Sequence, residues 1–118
     1  MKTRDLLIFT AIVMLILMLS NACKKDEPFV PVCNGLTPTY NTGISVVISE
    51  NCTDAPCHGP NSTNGDFTSY DGMNSVINSG ELEKQVLTDM TMPQESATLT
   101  ETELVMIRCW VDNDYPEN

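Results

Sequence analysis

Apolar residues recur at helical spacing in several short stretches of this 118-residue chain. Ile44, Val47 and Ile48 fall at i, i+3 and i+4 and would share one face of a helix of one to two turns that ends just before Cys52. The β-branched residues of 44–51 suit a strand equally well, so the pattern leaves both open. Tyr70, Met73, Val76 and Ile77 repeat the helical pattern, with Gly80 as a C-terminal stop. Glu81 to Leu87 reads as another short helix. The last element is the clearest: Thr100-Glu101-Thr102-Glu103 is a capping box, followed by Leu104, Ile107 and Val111 on one face with Trp110 beside them. Gly59 to Gly65 is a loop by composition. The expectation is an all-α fold of three or four short helices with long loops.

The N-terminal pattern is of another kind. Lys2 and Arg4 precede an apolar run from Leu6 to Leu19, which has the length of a signal-peptide core and is short for a membrane span. Leu19-Ser20-Asn21-Ala22-Cys23 follows and resembles the lipobox of bacterial lipoproteins, although Ser20 stands where that pattern prefers Leu. The resemblance implies cleavage before Cys23 and lipidation of that cysteine. An ordinary signal peptidase site is the alternative, because Ser20 and Ala22 are small. Lys24-Lys25-Asp26-Glu27 resembles the charged signal that sends lipoproteins of the Bacteroidota to the cell surface, or else is a solvated tether. The chain is thus expected to be an outer-membrane lipoprotein, on the periplasmic side or the cell surface, held to the membrane through its lipid anchor.

Removal of residues 1–22 as signal peptide leaves four cationic side chains, Lys24, Lys25, Lys84 and Arg108, against fifteen carboxylates. Such an acidic chain is a poor partner for nucleic acid and anionic lipid. Residues 23–40 hold Pro28, Pro31 and Pro38 without helical period and read as an extended linker. Residues 41–118 form one small domain, in the size range where a disulfide, metal or cofactor commonly supplements an apolar core.

Candidate chemistry centres on Cys52-Thr53-Asp54-Ala55-Pro56-Cys57-His58, in which two thiols are followed at once by the only histidine. This C-x-x-x-x-C-H string has the parts of a covalent haem attachment site with two extra residues between the thiols. Cysteines five apart on an α-helix stand roughly 140° apart around its axis, so both can face one ligand only if the chain between them leaves the helix. Asp54 and Pro56 favour such a loop. Two other arrangements use the same residues: a Cys52–Cys57 disulfide, or zinc on Cys52, Cys57 and His58 with a fourth ligand.

With the short apolar helix before Cys52, the Cys57-His58-Gly59 triplet, the loop after it, Met92-Pro93 and a C-terminal helix with Trp110, residues 44–118 resemble a small class I c-type cytochrome domain. The resemblance implies haem c, with its iron, bound through Cys52 and Cys57, with His58 as proximal and Met92 as distal ligand. Met73, Met90 and Met106 are alternatives to Met92. A dry pocket walled by Val47, Tyr70, Ile77, Leu87, Leu104, Ile107 and Trp110 is expected. The function implied is electron transfer to a redox protein partner with a basic docking patch. The alternative is a non-redox, disulfide-braced binding or interaction lipoprotein without cofactor. An enzyme is not expected: there is no second histidine and no nucleophile with a base beside it. With Cys23 lipidated and Cys52 and Cys57 occupied, Cys33 and Cys109 remain and are expected to pair in an oxidising compartment, unless Cys109 is a buried free thiol.

Overall fold

The computed structural model describes residues 29–94 and 98–118. The expected signal peptide, the lipidated Cys23 and the Lys24–Glu27 charges lie outside the described residues. Among those described there are four short helices and no strand, so the all-α expectation holds.

Helix α1, Ser45–Asn51, is entered through a wide turn over Tyr40–Ile44 in which Ile44 N–H bonds the Thr39 carbonyl five residues back, at 3.3 Å. Thr39 and Thr42 cap the start reciprocally, each hydroxyl accepting from the other's backbone N–H at 3.1 to 3.2 Å. Ile44, Val47 and Ile48 are all buried, as the helical spacing requires. Helix α2, Asn74–Asn78, follows a tighter turn over Asp71–Met73, and Gly80 ends it at φ +73°, a conformation that costs glycine nothing. Helix α3, Glu81–Glu83, runs on into a wide turn over Lys84–Thr88. Helix α4, Glu101–Asp112, is the longest, and its N-terminus carries the expected capping box: Glu103 N–H donates to Thr100 Oγ1 at 3.3 Å while Thr100 N–H donates to the Glu103 carboxylate at 2.7 Å.

The core forms where the turn over Tyr40–Ile44 meets α4 and the C-terminal tail. Trp110 is fully buried, and its indole N–H, which would be costly to leave unpaired there, donates to the Pro116 carbonyl at 2.9 Å. Its ring packs edge-on against Tyr115, with Tyr40 on another side and Tyr70 against Tyr40. Tyr40 and Asn41 donate backbone N–H groups to the carbonyls of Pro116 and Glu117, closing the start of the domain on its end. Arg108 joins α4 to α3 through Glu83, at 3.0 Å, and to its own helix through Asp112.

Cys33 and Cys109 are joined in a disulfide with Cα atoms 5.3 Å apart. Cys109 is fully buried, so the segment read as linker is fastened to the core at Cys33. Asn34 and Gly35, both at positive φ, then turn the chain, with Leu36 N–H bonding the Cys33 carbonyl at 2.8 Å. No helix among the described residues is long and apolar enough to cross a membrane.

Candidate functional site

The site begins where α1 stops. Cys52 occupies the C-cap, its N–H still bonded to the Ile48 carbonyl, and beyond it the chain leaves the helix. Cys57 N–H reaches the Asp54 carbonyl at 2.6 Å, and His58 N–H returns to the Cys52 carbonyl at 2.9 Å. The string is therefore a closed loop, and the helical separation of the two thiols does not apply. Gly59 permits the closure: a Cβ there would lie 2.5 Å from the Thr53 carbonyl oxygen.

His58 is positioned from two sides. Its ring stacks on Phe67 at a centroid distance of 3.9 Å and an interplanar angle of 4°, and Phe67 N–H donates to the His58 carbonyl at 2.8 Å. Nδ1 lies 3.0 Å from the Asn64 carbonyl, which can only accept, so in the neutral ring Nδ1 carries the proton and Nε2 keeps a free lone pair. Ser62 braces the loop, accepting from Asn64 N–H at 3.1 Å and donating to the Cys57 carbonyl.

These residues border a cavity of about 690 Å³ between the string, α2, α3 and the segment before α4. Cys52, Cys57, His58 and Met92 all line it, together with apolar walls that include Ile48, Phe67, Val76, Leu82, Val86 and Ile107. Of the pocket wall read from the sequence, only Ile107 is in place. Val47 and Trp110 are buried in the core, and Tyr70, Ile77, Leu87 and Leu104 pack against it. Met92 is also the only one of the four possible methionines on the cavity: Met73 is buried, Met106 packs on the core, and Met90 is 62% exposed.

Cys52 and Cys57 are both free thiols. Burial, with smaller contributions from the neighbouring Cys57 and Glu103, pushes the Cys52 thiol up to about 11, so it is protonated at neutral pH. Cys57 is exposed at the rim. Asn51, the last residue of α1, donates to Glu103 Oε1 at 2.9 Å and ties the start of the string to the α4 cap.

The expected haem c with its iron is corrected by the donor set. Among the described residues no group of three or more His, Cys, Asp or Glu side chains could hold a metal ion, which removes the zinc arrangement as well. The physical reason lies in the donors: one imidazole stands beside a thiol that resists ionisation, and no further donor of these types converges on them. Sequence reasoning did not find Phe67, Asn64 or the Asn51–Glu103 link. Phe67 alone left a trace, as the one aromatic residue between His58 and Tyr70.

No protein-family model matches this chain, and no curated protein or solved structure is similar enough to place it in a family.

Proposed function

We propose that this chain is a non-redox, disulfide-braced binding lipoprotein of the cell envelope, in which a cytochrome c-like helical scaffold holds a small, mainly apolar ligand. The observation that carries this reading is the cavity of about 690 Å³, whose apolar walls are interspersed with polar side chains such as Asn51, His58, Asn64 and Gln85, and which falls within the range of about 300–1,000 Å³ usual for small-molecule sites. His58 offers one fixed acceptor in that cavity, held by Asn64 and Phe67. The Cys33–Cys109 disulfide braces the fold around it. Lipidation at Cys23 would place the domain on the outer membrane, on the periplasmic side or the cell surface. The acidic charge argues against nucleic acid as a partner, and no catalytic activity is proposed.

Cys52, Cys57, His58 and Met92, scattered over 41 positions of sequence, all border this single cavity.

Titration with Nile red, a neutral planar dye, tests the binding reading. Saturable binding at one site, lost in Val76→Trp with the thermal transition kept, is the expected result. Absence of dye binding by the intact protein overturns it. A visible absorption band that stays with the chain after denaturation also overturns it.

A further inference from the structure

The segment from Phe29 to Leu36 carries apolar side chains that the fold leaves uncovered. Val30 is 70% exposed, Val32 58%, Leu36 45% and Phe29 37%. Successive residues of an extended chain face opposite ways. Pro31 and Cys33 are half-buried, and Cys33 is bonded to Cys109, so one side of the strip is fastened to the domain while Val30 and Val32 stand on the other. Phe29 and Leu36 continue the strip toward the start of α4, where they border a shallow cavity of about 270 Å³ with Val105, Thr102 and Glu101.

Charge and tether length decide what covers this strip. Residues 28–49 contain no charged side chain, although the chain as a whole has a net charge of −10. The strip itself thus carries no charge to be repelled by lipid headgroups, while Glu101 beside Phe29 and Leu36 and Asp112 beside Cys33 stand next to it on α4. If Cys23 carries lipid, five residues separate it from Phe29, and at about 3.3–3.6 Å per residue the strip cannot stand more than roughly 20 Å from the anchor. A tether so short makes contact with the bilayer effectively intramolecular.

We infer that the Phe29–Leu36 strip is a membrane-docking edge, which inserts its apolar side chains at the boundary of headgroups and acyl chains in the leaflet that holds the anchor. The inference rests on the lipoprotein reading above. Docking holds the domain in one orientation on the bilayer instead of leaving it to swing on its tether.

Depth-dependent quenching tests this with the full-length lipidated protein in vesicles of phosphatidylethanolamine and brominated phosphatidylcholine. Single reporters are placed at Val30→Trp and Val32→Trp, with Val46→Trp, an exposed apolar position on α1, as the comparison. Trp110 is buried and contributes the same background to each. Quenching about threefold stronger at the strip than at position 46 is the expected result. Equal quenching in protein whose intact mass confirms acylation of Cys23 overturns the docking edge and leaves the anchor standing. A mass without acyl chains overturns the anchor and the docking with it. Strip reporters that are unquenched and shielded in a self-associated species assign the strip to a second copy of the chain, and the proposal fails.

Discussion

At the scale of single residues the two site thiols differ more than their shared string suggests. Cys57 is exposed on the loop, whereas Cys52 lies at the end of α1, where burial raises its pKa to about 11. Only the thiolate is nucleophilic. Iodoacetamide near neutral pH should therefore modify Cys57 at once and Cys52 only after unfolding, and equal rates at the two positions in peptide maps would contradict the geometry. The same inequality fixes a pH dependence. In the unfolded chain Cys52 ionises near its ordinary value of about 8.5, while in the folded chain it holds its proton up to about 11. The contribution to stability is complete below the unfolded value and is lost as pH rises between the two. Because each factor of ten in acidity is worth about 1.4 kcal/mol, on the order of 3 kcal/mol should disappear across that window, and Cys52→Ala should flatten the decline. The thiols and His58 were legible in the sequence because covalent neighbours declare themselves. Their inequality was not, since it depends on Glu103 and on walls that come from other parts of the chain.

At the scale of elements, local signals were reliable and long-range ones were absent. Four letters, Thr100 to Glu103, predicted a cap whose bonds form as expected, because every partner lies within one turn. The Asn51 bond to the same Glu103 carboxylate spans 52 positions and left no mark in either segment. Likewise, helical spacing identified which residues of α1 and α4 turn inward but not which of them face the cavity: Trp110 fills the core and Ile107 lines the site. Thr100→Ala should cost about 1 kcal/mol in denaturant unfolding, the usual worth of an N-cap. Glu103 adds a pH signature. The Thr100 backbone N–H above all, with its hydroxyl and Asn51, lowers the Glu103 pKa below the ordinary carboxylate value, so the stability it contributes is present above that value and is lost as pH falls through the lowered one. Glu103→Gln should remove this part of the acid sensitivity and only slightly reduce the alkaline decline from Cys52, whose main cause is burial.

At the scale of the whole molecule, the fold joins segments that the sequence read as separate. The proline-bearing stretch before Tyr40 looked like free tether because it lacks any hydrophobic period, yet it is bonded at Cys33 to the most buried part of α4 and its end is hydrogen-bonded to the C-terminal tail. Parity of cysteines suggested that pairing, while the packing that follows from it had no local signature. The four helices are short, and three of them contain or adjoin a turn wound wider or tighter than an α-helix, so little stability is intrinsic to the elements. The disulfide closes a loop across 76 positions, for which restriction of the unfolded chain gives roughly 4 kcal/mol. For a domain whose total stability is expected at about 5–15 kcal/mol, that is a large fraction. Cys33→Ser leaves the buried Cys109 with a free thiol and no polar cost, so it isolates the crosslink from the packing of the core. The unfolding midpoint of Cys33→Ser should fall by an amount that corresponds to about 2–4 kcal/mol, and dithiothreitol should lower the native protein to the same midpoint while leaving the variant unmoved. A variant as stable as the parent would mean that the aromatic contacts of Trp110, Tyr40 and Tyr115 hold the two ends together without the bond.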